Sequence, residues 1–152
     1  MADEAFSVVE FRVSATAQAV TQVVPFVDGV SLLEIVGAHE REQGHDLAGK
    51  YAGLVPAHFQ FGDLSAYYLG LEDDQWPESG RVAFLGCECG EVGCWPLEAS
   101  IVVTGQAVAW FNFGQPFRPA WDYSGFGPFV FQRRQYDAAV VDAVARLDQA
   151  ST

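Results

Sequence analysis

Apolar and polar side chains alternate along several short stretches of the chain, and this alternation predicts β-strands. In residues 6–13 the side chains of Val9, Phe11 and Val13 share one face, so we expect a strand with one side buried. Arg81–Leu85 predicts another short strand, which runs directly into a segment rich in cysteine.

The segment around Asp28-Gly29 supports two predictions. Asp-Gly between two apolar runs is a strong signal for a tight hairpin turn, because both turn positions take a positive φ. Pro25 cannot donate to a ladder, so the arm that carries it is expected at a sheet edge. The competing prediction is a helix over Leu32–Glu42, capped by Ser31 and with Glu34 at its third position. Both stay open.

The second half of the chain predicts a hairpin, a strand and a helix. Residues 98–103 and 106–113 form two strands joined at Thr104-Gly105, and residues 129–131 form a further short strand. Arg133–Leu147 has apolar residues at helical spacing. That stripe comprises Tyr136, Val140, Ala143 or Val144, and Leu147. We therefore predict an α+β fold, in which an antiparallel sheet of about five or six strands, built from hairpins, carries a C-terminal amphipathic helix on one face.

The charge of the chain reflects a shortage of bases rather than an acidic block. Twenty acids stand against eight bases, which gives a formal net charge of −12, and Lys50 is the single lysine. Nucleic acid and anionic membranes attract clusters of Lys and Arg, so we expect neither as a partner. The negative charge either keeps the surface soluble or steers a basic partner toward it.

Length and hydropathy predict a single domain over residues 1–152. No apolar run approaches the ~18 residues of a membrane-spanning helix. The first residues, Met1-Ala2-Asp3-Glu4, include two acids and lack the basic region of a signal peptide. We expect a cytoplasmic protein, in which thiols stay reduced.

All three cysteines lie in one short segment, as Cys87-x-Cys89-x4-Cys94. Glycines at positions 86, 90 and 93 allow tight turns there, and closely spaced thiolates suit a soft metal such as zinc. A structural zinc site takes four ligands, so one ligand would come from outside the trio. We take His58 as the first candidate; the others are His39, His45, Glu88 and Glu91.

Two alternatives to a zinc site stay open. Cys94 could form a redox pair with Cys89 or Cys87, although the CxxC spacing followed by a helix that typifies such pairs is absent. Reduced cysteine is also a small and commonly buried apolar side chain, so the three could be packing residues.

A stretch rich in aromatic side chains lies between residues 110 and 131. Apolar surfaces with a few convergent polar groups are typical of ligand sites, and loops carry such sites more often than strands do. We therefore predict that a protein or small-molecule ligand binds here. The predicted binding residues are Trp110, Arg118, Trp121, Asp122 and Tyr123. The competing interpretation makes the rings the core under the final helix, bridged by an Arg118–Asp122 pair.

Searches for common catalytic motifs find none of them. The chain has no nucleophile elbow, no phosphate-binding loop and no dinucleotide fingerprint. His39-Glu40 begins like a zinc-protease motif, but Gln43 stands where that motif has its second histidine. The sequence therefore leaves two functions open: a ligand- or protein-binding module, and a zinc-binding or thiol-dependent enzyme at the cysteines.

Two segments of the chain have a distinctive sequence: GCECGEVGCWPL at residues 86–97, and a tail with Trp121-Asp122-Tyr123 followed by Gly127-Pro128-Phe129. They resemble a family of bacterial proteins, common in actinobacteria, that carry a GCxCGxxGCWPL segment and a W-x-Y…GPFxF tail. Residues 47–54 are similar too, so the resemblance covers roughly residues 30 to 140. It implies a bacterial cytoplasmic protein and brings no activity or catalytic residue with it.

Overall fold

The computed structural model describes residues 6–15, 21–44, 51–54, 67–69, 77–78, 81–87, 97–115, 121–123 and 125–150. For Pro77, Glu78, Arg81, Cys87 and residues 148–150 it describes the backbone alone. The strands are β1 (Val9–Ala15), β2 (Thr21–Val27), β3 (Val30–Ser31), β4 (Tyr51–Ala52), β5 (Pro77–Glu78), β6 (Arg81–Cys87), β7 (Leu97–Val103), β8 (Ala107–Gly114) and β9 (Phe129–Gln132). Helix α1 spans Leu32–Glu42, and helix α2 spans Arg133–Ala150.

The strands form two antiparallel sheets that are linked by isolated bridges. The first sheet has the order β1-β2-β3, and the second has the order β4-β6-β7-β8-β9, with β5 paired to β6. Ser7, just before β1, bridges to Phe131 of β9, and Val23 of β2 bridges to Leu54, just after β4. Strand neighbours can therefore be followed in a closed circuit from β1 through β2, β4, β6, β7, β8 and β9 back to β1.

Asp28-Gly29 forms the predicted turn, and the predicted helix follows it as well. The two turn residues have φ values of 51° and 83°, and the Asp28 carboxylate accepts a hydrogen bond from the amide of Val8 at 2.8 Å. Ser31 ends β3 and also caps α1, because its hydroxyl accepts from the amide of Leu33 at 3.1 Å. The turn and the helix are both confirmed, whereas the second arm of the hairpin is only two residues long because the helix begins directly after it.

The position of Pro25 differs from the prediction. It lies in β2, which is the middle strand of its sheet rather than an edge strand. Val23 bonds to Leu54 on the side away from β1, and alternation puts the nitrogen of Pro25 on that side too. There β3 pairs with β2 at residues 26 and 27 alone, so the missing amide of Pro25 leaves no gap in a ladder.

Gly53 permits the close approach that joins the two sheets. A Cβ atom at this position would lie 2.4 Å from the carbonyl oxygen of Val23 and 2.7 Å from a methyl of Val24. The Gly53 amide donates to the side chain of Gln22 at 2.8 Å, and Leu54 exchanges two backbone hydrogen bonds with Val23, at 2.8 and 3.0 Å. A larger residue at position 53 would force this bridge apart.

Aromatic side chains from four strands meet inside the circuit and form the core. Trp110 of β8 is wholly buried, and its ring centroid lies 4.1 Å from that of Phe84 in β6 and 4.7 Å from that of Phe131 in β9. Phe11 of β1 lies 6.2 Å from Trp110. Tyr136 of α2 closes the cluster, 5.6 Å from both Phe11 and Phe131. Helix α2 is therefore seated on the core.

The predicted fold class is confirmed. The sheets are antiparallel and built from hairpins, and the predicted stripe on α2 is buried at Tyr136, Val140 and Ala143. The second hairpin turns where predicted, with the amide of Thr104 donating to the carbonyl of Ala107 at 2.8 Å. In the described parts of the chain, none of the helices combines the length and the apolar character needed to cross a membrane.

Candidate functional site

A carboxylate is buried near the C-terminal end of α1. Glu40 has no exposed surface, and it accepts hydrogen bonds from the hydroxyl of Tyr51 in β4, at 2.6 Å, and from the hydroxyl of Tyr123. The two hydroxyl oxygens are themselves 3.3 Å apart. The side-chain amide of Gln115 donates to the Tyr51 hydroxyl at 3.5 Å. We refer to these four residues as the Glu40 cluster.

Helical spacing puts Glu40 on the buried face of α1. Leu32, Val36 and Glu40 recur at intervals of four, and none of the three has exposed surface. Burying a carboxylate without partners costs several kcal/mol, and the C-terminal end of a helix is the negative end of its dipole. The donors from Tyr51 and Tyr123 offset both effects. The cluster therefore ties β4 and the loop after β8 to this helix.

The phenols of the cluster are held in their protonated form. Burial raises the pKa of Tyr51 far above its ordinary value near 10, and its hydrogen bonds to Glu40 and Tyr123 raise it further. Burial also raises the pKa of Tyr123, and its hydrogen bond to Glu40 adds to the effect. A phenolate beside the Glu40 carboxylate would bring two negative charges together away from water. Both phenols consequently act as donors.

His39 fastens the same loop one residue earlier on α1. Its Nε2 lies 2.8 Å from the backbone carbonyl of Asp122, to which it donates. Its ring stacks on Tyr123 with centroids 5.5 Å apart and lies 5.1 Å from the ring of Phe126. Two successive helix positions, His39 and Glu40, thus hold Asp122, Tyr123 and Phe126 in place.

An irregularity in β8 turns a further aromatic side chain toward this loop. The β7–β8 register shifts near the end of the ladder, and Asn112 there has a φ of 56°, a conformation that asparagine tolerates. The extra residue makes Phe113 buried although strict alternation would expose it. Phe113 meets Phe126 and Phe129 edge to face, with centroids 4.9 and 5.7 Å apart.

The cysteine segment begins beside the Glu40 cluster. In the antiparallel pairing of β4 with β6, Tyr51 lies opposite Cys87 and Ala52 lies opposite Gly86. Facing residues of neighbouring strands have Cα atoms about 5 Å apart. The backbone that leads into the predicted cysteine turn is therefore next to Tyr51, whose hydroxyl reaches Glu40.

The predicted binding residues have different environments. Trp110 is wholly buried in the core and has no exposed surface to offer a ligand. Tyr123 is buried in the Glu40 cluster. Trp121 is partly buried and Asp122 is exposed, so both present side-chain surface to solvent. Arg118 lies outside the described residues, and with it the predicted pair with Asp122.

The predicted zinc ligands fall mostly outside the described residues. Cys89, Cys94 and His58 lie there, and of Cys87 the backbone alone is described. Within the described ranges, His, Cys, Asp and Glu side chains form no group of three or more that could hold a metal ion. The zinc site at these four residues stays a prediction. His39, an alternative ligand, donates from Nε2 to the carbonyl of Asp122.

Sequence reasoning missed Glu40, Tyr51 and Gln115. A signal for Glu40 was present, because it continues the four-residue stripe of Leu32 and Val36. An acid on the buried face of a helix requires donors, and tyrosine hydroxyls are common ones. Which tyrosines supply them depends on contacts between distant segments, so the sequence pattern does not identify Tyr51.

Burial limits what the Glu40 cluster can do chemically, because Glu40 has no exposed surface. One cavity, of about 380 Å³, lies at the start of α2 and is lined by Phe6, Gly105, Gln106, Gln132, Arg133 and Arg134. A second, of about 220 Å³, lies between β1 and α2. Neither of these two cavities is lined by a member of the cluster. The contacts of the cluster fit a positioning role better than direct contact with a substrate.

Comparison of the chain with protein-family models, with curated proteins and with solved structures finds no match. The resemblance to the GCxCGxxGCWPL family therefore stays a prediction from the two sequence segments. The fold and the site define a class of protein: an α+β protein in which a buried Glu–Tyr–Tyr cluster anchors a loop. We call this loop, which carries Trp121, Tyr123 and Phe126, the aromatic loop.

Proposed function

We propose that the chain is a binding module for a protein or a small ligand, with a surface formed by residues 121–128 and the cysteine turn at residues 86–95. The observation that supports it best is a shared anchor. Tyr51 lies opposite Cys87 in the sheet, and its hydroxyl bonds to Glu40, which also holds Tyr123. The start of the cysteine turn and the aromatic loop are thus tied to one buried group.

The Glu40 cluster gives the proposed binding surface a rigid support. A loop held in its bound conformation loses less entropy when a partner associates. Asp122 and Tyr123 are held by the bond from His39 to the Asp122 carbonyl and by the bond from the Tyr123 hydroxyl to Glu40. Trp121 and Asp122 then supply an aromatic face and a carboxylate at the solvent boundary, a combination suited to a partner with apolar and basic groups.

The charge of the chain narrows the class of partner. With a net charge of −12, the chain attracts basic groups and repels phosphate backbones and anionic lipid surfaces. We therefore propose a protein or small-molecule partner in the cytoplasm, and neither nucleic acid nor a membrane.

The experiment compares surface variants in pull-downs from a bacterial lysate. Asp122→Ala should keep the thermal unfolding midpoint and lose a captured partner. Trp121→Ala removes a ring that packs partly against the core, so it should lower the midpoint slightly, keep the folded circular dichroism spectrum and lose the partner. Val141→Ala is the matched control, because Val141 is the most exposed of the large apolar side chains described. This variant should still capture the partner. Tyr123→Ala is unsuitable, because Tyr123 holds Glu40 and its loss would disturb folding. A partner that survives both loop variants would contradict the proposal.

The alternative proposal is a zinc-binding or thiol-dependent enzyme that uses Cys87, Cys89 and Cys94, with His58 as fourth ligand. It rests on the spacing of the cysteines in the sequence. Elemental analysis together with thiol titration, on protein purified without chelator, separates the two. Stoichiometric zinc that disappears in Cys94→Ser would favour the enzyme or metal site. Free thiols at all three cysteines with no metal would remove it.

A further inference from the structure

Strand β1 has one edge that faces away from its partner. Val8 bonds to Asp28 on the β2 side, through both its amide and its carbonyl. Because successive residues of a strand point their backbone groups in opposite directions, Val9, Phe11 and Val13 direct their amides and carbonyls away from β2. The order β1-β2-β3 makes β1 an edge strand of its sheet from Val9 onward, beyond the bridge from Ser7 to β9.

A side chain from α2 already imitates a strand partner at the start of this edge. The side-chain amide of Gln135 accepts from the backbone amide of Val9 at 3.0 Å and donates to its carbonyl at 2.6 Å. This pattern is the one that a neighbouring strand would supply. Beyond Val9 the imitation stops. In the described part of the chain, nothing bonds to the outward amides and carbonyls of Phe11 and Val13.

A groove lies at these two residues, between the β1 edge and helix α2. Its volume is about 220 Å³, and Phe11 and Val13 line it. Asp142 and Arg146 form the helix wall, joined by an ion pair at 2.8 Å. Unpaired edge groups beside a helix are a recurrent setting for strand addition, in which an extended peptide completes the sheet.

We propose that this groove binds an extended segment of a basic polypeptide, which adds to β1 as a further strand at Phe11 and Val13. Backbone hydrogen bonds supply the recognition, since each outward amide and carbonyl of β1 then gains a partner. The site is separate from residues 121–128 and does not depend on them.

Charge favours a basic segment over an acidic one. The two ion pairs at the groove, Arg12 with Glu10 and Arg146 with Asp142, balance each other locally. The sign of the electrostatic potential at the groove is then set by the whole molecule, whose net charge is −12. A field of that sign concentrates cationic segments at the surface and repels anionic ones.

Hydrogen exchange on the intact chain tests the proposal without any substitution. The probe is a short synthetic peptide of alternating lysine and valine, and its matched control alternates glutamate and valine. Free protein should protect the amides of Glu10 and Arg12, which face β2, and should exchange those of Phe11 and Val13 faster. Saturating lysine–valine peptide should slow exchange at Phe11 and Val13 by about tenfold or more. Unchanged exchange at these two amides would overturn the proposal.

Backbone pairing is tested by methylating alternate amides of the peptide. Methylation of the set that faces β1 should weaken binding about tenfold or more, whereas methylation of the other set should change it little. Val13→Pro removes one edge donor at a position where proline is tolerated and should weaken binding similarly, with Val141→Ala as control. Equal binding of both methylated peptides, or of the glutamate peptide, would overturn the proposal. Concentration-dependent dimerisation that protects Phe11 and Val13 without peptide would also overturn it, in favour of a second copy.

Discussion

Glu40 and Tyr123, which are 83 positions apart in the chain, are joined by a hydrogen bond from the phenol to the carboxylate. Tyr51 donates to the same carboxylate from another strand. Helix α1, strand β4 and the loop after β8 therefore meet at one buried acid. A buried polar group that loses its hydrogen-bond partner destabilises the folded state far more than an exposed group does. The stability of the fold should therefore depend strongly on the Glu40 carboxylate.

Glu40→Gln should destabilise the folded chain by about 1–3 kcal/mol. The amide keeps the shape of the side chain, and its oxygen can replace Oε2, which accepts from both phenols. A neutral amide oxygen is, however, a weaker acceptor than a carboxylate oxygen. Glu40→Ala should cost more, about 3–5 kcal/mol, because both phenols lose their acceptor and a cavity is left. Urea unfolding followed by circular dichroism measures both changes in the free energy of unfolding.

The matched control for this prediction is Glu42→Gln. Glu42 lies on the same helix and is exposed, so its amide should change the free energy of unfolding by no more than about 0.5 kcal/mol. Equal effects at positions 40 and 42 would contradict the role given to the buried carboxylate.

Alkaline pH should unfold the chain in a single transition coupled to tyrosine ionisation. Burial is the largest cause raising the pKa of each of the five tyrosines. In the unfolded chain they ionise near pH 10. Their stabilising contribution is therefore complete below about pH 10 and is lost as the pH rises above it, because the unfolded state then binds fewer protons than the folded state.

Ultraviolet absorbance of tyrosinate and circular dichroism, recorded on the same samples, check this prediction. Both signals should change together above about pH 10, whereas in concentrated urea tyrosinate should form near pH 10 without a structural transition. Gradual formation of tyrosinate near pH 10 with an unchanged dichroism spectrum would show that the phenols are accessible in the folded chain.

The hairpins and the final helix could be predicted because short-range sequence determines them. Asp28-Gly29 accepts the positive φ of a tight turn, and the spacing of Tyr136, Val140 and Ala143 matches the buried face of α2. Ser31 could be recognised as a cap because a cap acts within one helical turn. Element types and approximate ends follow from such local rules.

The closed circuit and the site could not be predicted in the same way. The bridges from Ser7 to Phe131 and from Val23 to Leu54 join segments whose pairing no local pattern encodes. The register shift at Asn112 reverses the expected direction of the following side chain. Alternation alone therefore misassigns the end of β8, and with it the surroundings of the aromatic loop.

Gly53→Ala should destabilise the chain by about 1–3 kcal/mol, as overpacking usually does. Its Cβ atom would stand 2.4 Å from the Val23 carbonyl oxygen, at the bridge between the two sheets. Gly105→Ala is the matched control, since no atom lies within 4 Å of a Cβ atom there and its φ is outside the left-handed region. That variant should be neutral or more stable by up to about 1 kcal/mol. Chemical denaturation of both proteins measures the difference, and equal losses would contradict the close approach at Gly53.

Two tyrosine hydroxyl groups in the core should respond in opposite ways to the same chemical change. The Tyr136 hydroxyl donates to the carbonyl of Tyr68 at 2.7 Å and accepts from Nε1 of Trp110 at 3.2 Å. Tyr136→Phe leaves both of these buried groups without that partner and should cost about 1–3 kcal/mol.

The hydroxyl of Tyr68 is also buried, with 1% of the residue exposed, but among the described residues it has no hydrogen-bond partner. Removing a hydroxyl that is buried without a partner relieves its desolvation penalty. Tyr68→Phe should therefore leave the free energy of unfolding unchanged or raise it by up to about 1 kcal/mol. Because the two substitutions remove the same atom from the same core, the difference between their urea midpoints isolates the hydrogen bonds of Tyr136 from any effect of volume. A loss in Tyr68→Phe as large as that in Tyr136→Phe would mean that the Tyr68 hydroxyl is bonded as well.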